Sequence, residues 1–164
     1  MTILVTGGTG KIGTKLARLL DSANIPFLLA SRSGTAPAPF EGVKFDWFDE
    51  STYQNAFDAH TDIDKVLLVP PASFDPTPIA KSFIDFAISK GVKRFVLISI
   101  SVVEKGGDGN GKVHEYLAES GADYVVLRPT WFIGAAAISV LFNMNQQLTT
   151  LQPPQRILAL ACYP

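Results

Sequence analysis

The sequence feature that most constrains the fold is a glycine-rich turn near the N-terminus. A short apolar run, residues 3–6, leads directly into Gly7-Gly-Thr-Gly-Lys-Ile-Gly13, which satisfies the pattern G-x-G-x-x-G through Gly8, Gly10 and Gly13. The segment that follows, residues 12–23, carries its large apolar side chains on one stripe at the helical period. This order predicts a buried strand, a tight turn and a long amphipathic helix.

The same alternation continues along the chain. Mostly continuous apolar runs at 3–6, 26–30, 43–45, 65–69, 94–99 and 124–127 predict strands that are covered on both faces. Between them, residues 12–23, 50–59, 78–90 and 112–120 are predicted as helices. Strands that alternate with helices in this way form parallel sheets through right-handed crossovers. The sequence therefore predicts the α/β class, with a Rossmann-type doubly wound parallel sheet.

The glycine turn has a chemical use as well as a structural one. A Cβ atom at Gly10 would hold a phosphate away from the backbone, and a side chain at Gly13 would push the helix off the strand. The start of the helix offers unpaired amides and the positive end of its dipole to an anion. A purely structural turn is the alternative interpretation, but the strand–turn–helix context favours dinucleotide binding. The predicted cofactor-binding residues of the turn are Gly7, Gly8, Thr9, Gly10, Lys11, Ile12 and Gly13.

The end of the second strand indicates which dinucleotide is bound. Domains selective for NAD usually carry Asp or Glu there, whereas this chain has Ser31 and Arg32 and no acid. A guanidinium suits a 2′-phosphate because it can make charge-assisted, bidentate hydrogen bonds. A solvent-exposed loop arginine is the alternative. We predict NADP (NADPH) as the cofactor in preference to NAD, with Ser31 and Arg32 among the residues that bind it.

Two further segments fall at the ends of predicted strands. Asp46 and Trp47 follow the third strand, where Asp46 is placed to reach the adenine amino group or to cap the next helix, although Asp49 is the better cap. Pro70 and Pro71 close the fourth strand on the nicotinamide side, but prolines after a strand are also ordinary loop residues. We predict that four of these residues contact the cofactor: Asp46, Trp47, Pro70 and Pro71.

Composition excludes several other classes of function. The net charge is −1, from 14 basic and 15 acidic residues, so the chain lacks the excess of positive charge that is typical of proteins that bind nucleic acid or an anionic membrane. The single cysteine, Cys162, allows no internal disulfide, and no Cys/His cluster offers metal ligands. The N-terminus lacks the basic flank of a signal peptide, and the longest apolar window, residues 131–142, is shorter than the roughly 20 residues of a membrane span. We expect a cytoplasmic chain with a small-molecule substrate.

The last stretch of the chain differs from the rest. Beyond Pro129 the only charged residue is Arg156, so this segment lacks the charged side chains that a solvent-exposed protein surface normally carries. One explanation is a buried apolar segment or a subunit contact, such as that of a homodimer. The other is a tail that does not belong to the original domain, as after a shifted reading frame or a retained intron. We assign residues 1–132 to the NAD(P)-binding domain and 133–164 to an atypical low-charge tail.

Four segments together carry a resemblance to a known family. They are Thr6-Gly-Gly-Thr-Gly-Lys-Ile-Gly13, Phe45-Asp-Trp47, Val92-Lys-Arg-Phe-Val-Leu-Ile-Ser99 and Tyr124-Val-Val-Leu-Arg-Pro-Thr-Trp-Phe132. Over residues 1–132 the chain resembles the atypical short-chain dehydrogenase/reductases of the NmrA-like group, and within it the fungal ergot-alkaloid reductases. The resemblance implies an NAD(P)H-dependent oxidoreductase that transfers hydride to the C=N bond of an iminium, or to a C=C bond, of a small planar substrate. Such enzymes continue into a small substrate-binding region that the sequence after Phe132 does not match, so we expect most of that region to be lacking.

Candidates for catalysis lie near the fifth strand and the helix after it. Short-chain dehydrogenases carry Tyr-x-x-x-Lys on that helix, but the residue four positions after Tyr116 is Ser120, so the pair is missing. His114 and Tyr116 could supply a proton, or could be ordinary helix residues. By resemblance Ser99, with Ser101 nearby, would face the nicotinamide; the alternative is a hydroxyl bonded to nearby backbone. The catalytic candidates are therefore Ser99, His114 and Tyr116.

Reduction of an iminium requires little acid–base assistance, because hydride adds to a carbon that is already cationic and the product amine exchanges its proton with water. A missing tyrosine–lysine pair is compatible with that chemistry. Two alternatives to a reductase remain open from the sequence. One is a non-catalytic NADP-binding, redox-sensing module, and the other is an inactive truncated product.

Overall fold

The computed structural model describes residues 1–129 and 157–160. The strands are β1 (Thr2–Val5), β2 (Phe27–Ser31), β3 (Gly42–Lys44), β4 (Ile63–Leu68), β5 (Arg94–Ile98), β6 (Asp123–Pro129) and β7 (Ile157–Leu160). The helices are α1 (Lys11–Ser22), α2 (Tyr53–Ala59), α3 (Thr77–Ser89) and α4 (Asn110–Glu119), with a 3₁₀ turn at Glu50–Thr52 before α2. Within this part of the chain no helix is long and apolar enough to cross a membrane.

All seven strands form one parallel sheet in the order β3-β2-β1-β4-β5-β6-β7. The chain runs from β1 outward to β3, then returns to the other side of β1 with β4 and continues outward. The direction of winding therefore reverses between β1 and β4, and their carboxyl ends diverge into a crevice where ligands of open α/β sheets bind. The predicted fold class is confirmed.

Helices cover both faces of the sheet, as the continuously apolar strands require. On one face, Leu16, Ala17 and Leu20 of α1 pack on strand residues such as Leu29 and Val96. On the other face α2, α3 and α4 enclose a larger cluster that is rich in aromatic rings. At its centre Phe83 is fully buried, and its ring makes an edge contact with that of Phe45 at 4.9 Å. The helical stripe predicted for α1 is the face that is buried.

Two features differ from the sequence-based expectation. The helix predicted over 50–59 begins as a 3₁₀ turn, with Asp49 as its cap: the carboxylate accepts hydrogen bonds from the backbone N–H and the hydroxyl of Ser51, at 3.2 and 2.6 Å. The other is β7, which pairs in parallel with β6 from Val126↔Ile157 to Pro129↔Leu160. This strand was missed because the low-charge tail around it has no clear period, and only pairing with an open sheet edge identifies it.

Candidate cofactor site

The glycine turn connects β1 to α1 and packs against β2. The N–H of Gly8 donates to the Ala30 carbonyl at 2.9 Å, which ties the turn to the end of β2. A Cβ atom at Gly13 would lie 2.6 Å from the carbonyl oxygen of Gly7 and 2.7 Å from the Cα of Gly8. The first turn of α1 is therefore in direct contact with the glycine turn, and only glycine fits at position 13.

The start of α1 is open to an anion. The N–H of Thr14 donates to the Gly10 carbonyl at 3.0 Å, so the amides of residues 11–13 precede the helix's own hydrogen bonds. Within the part of the chain that the structure describes, no side chain caps this end of α1. Gly10 is exposed, and a Cβ atom there would approach only the Gly7 carbonyl oxygen, at 3.1 Å. Free amides, the helix dipole and open space beyond Gly10 fit a pyrophosphate.

Arg32 lies just past β2, exposed and on the wall of a cleft. Among residues 1–129, no side chain or carbonyl is paired with its guanidinium. Ser31 is buried, and its hydroxyl donates to the Thr35 carbonyl at 2.7 Å, while the hydroxyls of Ser33 and Thr35 lie 2.7 Å apart. Ser31 therefore fixes the loop that carries Arg32 and leaves the guanidinium to meet a ligand.

The segment after β3 forms the opposite wall. Asp46 accepts a hydrogen bond from the Phe48 N–H at 3.0 Å through one carboxylate oxygen, and its own N–H donates to the Thr52 hydroxyl at 2.8 Å. Since Asp49 caps the following turn, the alternative role of Asp46 as a cap is not needed. Trp47 is half-buried with its ring edge-on to Phe45 at 5.1 Å. Asp46 therefore presents a fixed carboxylate beside aromatic surface.

These segments enclose a cleft of about 470 Å³ at the carboxyl edge of the sheet, which we call the first cleft. Of the predicted cofactor-binding residues it is lined by Gly7, Thr9, Gly10, Ser31, Arg32, Asp46, Trp47 and Pro71. Ala30, Phe45, Phe48, Val69 and Ala72 also line it and were missed. Their small or apolar side chains indicate no ligand contact by themselves, even for Phe45 in the segment Phe45-Asp-Trp47, so only the fold reveals that they meet at this edge. Gly8, Lys11, Ile12 and Gly13 lie around the turn outside this lining.

A second cleft, of about 290 Å³, adjoins the first. It is lined by Pro70, Pro71, Ala72, Ser73, Ile100, Val103, Asp108, Gly109 and Asn110. Pro71 and Ala72 belong to both linings, so one continuous surface runs from the Arg32 loop, past the glycine turn, to the ends of β4 and β5. Pro70 therefore lies in the second cleft, on the side where the sequence places the nicotinamide.

The three catalytic candidates are not brought together. Ser99 is buried at the end of β5, its N–H bonded to the Leu127 carbonyl at 2.9 Å. His114 is buried, with its ring 5.7 Å from that of Tyr124, and burial lowers the pKa of its imidazole. The hydroxyl of Tyr116 donates to Asp85 on α3, and desolvation together with that carboxylate raises the pKa of Tyr116 to about 12. None of the three lines either cleft.

Two buried polar side chains that connect elements near the clefts were not singled out from the sequence. The buried hydroxyl of Thr6 donates to the Leu67 carbonyl at 2.9 Å, which joins β1 to β4 just below the crevice. Arg128 on β6 is 8% exposed and forms a two-pronged ion pair with Glu104, at 2.6 and 3.0 Å. This contact lowers the pKa of Glu104. The sequence signal for Arg128 was a lone charge inside an apolar strand.

Comparison with known proteins agrees with this geometry. A family model described as NAD(P)H-binding matches residues 7–149. An agroclavine dehydrogenase from Claviceps purpurea (strain 20.1) is 48% identical over 138 residues, 81% of this chain and 47% of the relative. Festuclavine synthase I from Penicillium roqueforti is 45% identical over 139 residues, 81% of this chain and 48% of the relative. The chain thus spans about half the length of these curated relatives.

A solved structure shares the fold. The UDP-glucose 4-epimerase of Thermus thermophilus, in complex with NAD, superposes with a TM-score of 0.64 at 19% identity, over 78% of this chain and 54% of the epimerase. At that identity the likeness concerns the fold alone. The predicted resemblance to the ergot-alkaloid reductases is confirmed by the sequence relatives. The chain therefore belongs to the NAD(P)H-binding family, and within it is similar to fungal agroclavine dehydrogenases and festuclavine synthases.

Proposed function

We propose that this chain binds NADP(H) across the first cleft and is the cofactor-binding part of an oxidoreductase that reduces the C=N or C=C bond of a small planar substrate, such as a clavine. The nicotinamide cofactor follows from the family. The choice of NADP, the reaction and the substrate class rest on the residues of the two clefts and on the names of the relatives.

The observation that carries the choice of NADP is the free guanidinium of Arg32. The pyrophosphate would sit on the amides of residues 11–13, and the ribose would then extend toward the end of β2. In that region Arg32 faces the first cleft, and neither Ser31 nor Ser33 is an acid that could accept from a 2′-hydroxyl. A cation that no group of residues 1–129 neutralises favours the phosphorylated ribose.

The rest of the cofactor follows the continuous surface of the two clefts. Asp46 would accept from the adenine amino group, because its carboxylate is held at the cleft wall by the Phe48 amide. At the other end Pro70 and Pro71 would flank the nicotinamide, with Ser99 behind it at the end of β5. Proline offers no N–H that would need a partner, so this wall is rigid and apolar.

NADPH, when bound, supplies a hydride. The chain's own contribution is to hold the nicotinamide ring and the planar substrate face to face. Tyr116 is engaged with Asp85, and His114 is buried away from both clefts, so neither offers a proton to a substrate there. An iminium substrate needs no such proton, which is why we favour it over a ketone.

The cofactor is tested by calorimetric titration of the chain with NADPH and with NADH. We expect Arg32→Ala to weaken NADPH binding by roughly tenfold to a hundredfold and to leave NADH binding within about twofold, as for loss of a charge-assisted hydrogen bond. Arg18→Ala, an exposed arginine on α1, is the matched control. Equal affinity of the parent chain for both nucleotides, or no change in Arg32→Ala, would contradict the choice of NADP.

A non-catalytic NADP-binding module is the second candidate. The observation that favours it is that Ser99, His114 and Tyr116 line neither cleft. NADPH absorbance is followed with a clavine iminium, and the reverse reaction with agroclavine and NADP⁺. Turnover supports the reductase, whereas tight NADPH binding without turnover supports the module.

A further inference from the structure

We propose that Arg128 is a positioning residue for substrate: by holding residues 100–104 it sets the shape of the second cleft without acting on the first. This inference rests on the proposed function, because it takes the second cleft as the substrate side. Arg128 lines neither cleft itself, and its proposed effect on substrate binding is indirect, through residues 100–104 in the wall of the second cleft.

Among the described residues, the hydrogen bonds of the Arg128 guanidinium all go to a single loop. Its Nη2 donates to the Ser101 carbonyl at 2.6 Å and its Nε to the Ile100 carbonyl at 3.5 Å. Nη1 and Nη2 pair with the two carboxylate oxygens of Glu104, at 3.0 and 2.6 Å. Three residues of the β5–α4 connection are thus attached to one side chain on β6.

The same loop forms a wall of the second cleft. Ile100 and Val103 are lining residues, and the Val103 N–H donates to the Ile100 carbonyl at 3.2 Å, so they belong to one turn. On its other side the loop meets the first turn of α4, where a Cβ atom at Gly111 would overlap the Glu104 carbonyl oxygen. The loop is therefore fixed between β6 and α4, and a shift at Ile100 moves the cleft wall.

An arginine is suited to this role and a lysine is not. The planar fork can bind a carboxylate with two parallel bonds while its remaining N–H groups reach carbonyls in fixed directions. A buried cation also has to be neutralised, and Glu104, mostly exposed itself, can do so only when the loop is in place. The charge of Arg128 thereby selects one loop conformation.

Arg128 does not contact the first cleft. The glycine turn and the Arg32 loop lie on β1 and β2, whereas Arg128 is on β6, with β4 and β5 between them. Loss of the guanidinium should therefore weaken substrate binding more than cofactor binding, because the phosphates and the adenosine part of the cofactor would be held in the first cleft and only its nicotinamide would reach the second. A merely structural arginine would affect both alike, because unfolding removes both clefts.

The experiment uses the 164-residue chain saturated with NADP⁺ and titrates agroclavine as the probe. We expect Arg128→Lys to raise the dissociation constant for agroclavine by about tenfold and that for NADP⁺ by less than about twofold, as for a small misplacement of a site wall. Glu104→Gln, which keeps an acceptor, should have a smaller effect of the same kind. Arg18→Lys on α1 is the matched control for the substitution.

Hydrogen exchange provides a readout without substrate. In Arg128→Lys the amides of residues 100–104 should exchange roughly tenfold faster, while those of residues 7–13 are unchanged. Unchanged exchange, unchanged agroclavine affinity, or equal losses for agroclavine and NADP⁺ would each overturn the inference. A parent chain that binds NADP⁺ but not agroclavine would also overturn it, since the second cleft would not be a substrate site. A parent chain that binds no NADP⁺ overturns the proposed function itself.

Discussion

The hydroxyl of Thr6 accepts a hydrogen bond from the N–H of Val69 at 2.8 Å while it donates to the carbonyl of Leu67 at 2.9 Å. Thr6 is the last residue before the glycine turn, and Val69 opens the segment that leads to Pro70 and Pro71. One buried hydroxyl therefore sets the distance between the part of the crevice that fits a pyrophosphate and the part proposed for the nicotinamide. The hydroxyl also satisfies the backbone N–H of Val69, and its bond to the Leu67 carbonyl adds to the one that this carbonyl accepts from the Thr6 N–H at 3.1 Å.

Replacing Thr6 tests this link. Thr6→Val keeps the shape of the side chain but leaves the Val69 N–H without its partner, so we expect a loss of about 1–3 kcal/mol in the free energy of unfolding, measured with urea. Thr6→Ser keeps the hydroxyl and should lose less. If Thr6→Val unfolds at the same urea concentration as the parent chain, the hydroxyl does not hold the crevice together.

Alanine substitutions at two glycines of the turn should affect different properties: stability at Gly13 and cofactor binding at Gly10. In Gly13→Ala the new Cβ would lie 2.6 Å from the Gly7 carbonyl oxygen, so we expect a loss of about 1–3 kcal/mol of stability. In Gly10→Ala the Cβ would meet only the Gly7 carbonyl oxygen, at 3.1 Å, so the loss of stability should be smaller than in Gly13→Ala, at about 1 kcal/mol or less, while NADPH binding weakens by roughly tenfold or more.

Urea unfolding and calorimetric titration of both glycine variants separate the two effects. NADPH binding by Gly10→Ala at the parent's affinity would mean that the phosphates do not approach this backbone.

His114 should make the fold sensitive to acid. Burial lowers the pKa of its imidazole below 6.5, and the positive charges of Lys105 and Arg128 lower it further, against a smaller opposing effect of Glu104. In the range between the folded pKa and about 6.5 the unfolded chain binds more protons, so stability rises with pH there and is lost as the pH falls below about 6.5. Its buried Nε2 has no hydrogen-bond partner among the described residues.

Urea midpoints measured from about pH 7.5 down to about pH 5 would show this loss. His114→Phe, which keeps a ring beside Tyr124, should flatten the dependence. An unaltered pH profile in His114→Phe would assign the acid sensitivity to other groups.

Tyr116→Phe tests the tyrosine as a catalyst. Its hydroxyl is bonded to Asp85 and the Nζ of Lys81 lies 4.8 Å from its ring, so the side chain takes part in an α3–α4 surface contact. We expect the variant to lose at most about 1 kcal/mol of stability and to bind NADPH as the parent does. Turnover more than about tenfold slower, with binding intact, would instead assign Tyr116 a catalytic role.

The sequence by itself determined the class of the fold and the position of the glycine turn between the first strand and the first helix. Both depend on local properties. A run of apolar residues forms a buried strand, and steric contacts within one turn require glycine at positions 10 and 13. The cleft position of Arg32 was predictable too, because the motif fixes where the second strand ends. The bond from the Ser31 hydroxyl to the Thr35 carbonyl, at 2.7 Å, was not predictable in the same way, because it depends on how the loop after β2 folds back.

Only the tertiary structure decided which distant residues meet. Thr6 reaches Val69 because β1 and β4 are adjacent strands, and Arg128 reaches residues 100–104 because β6 pairs with β5 in one register. Tyr116 faces Asp85 because of the rotation of α4 against α3, a property that helical periodicity alone leaves open. Strand β7 is the clearest case: Ile157–Leu160 is a short apolar run in a tail without a clear period, and the edge strand β6 supplies the hydrogen bonds that make it a strand.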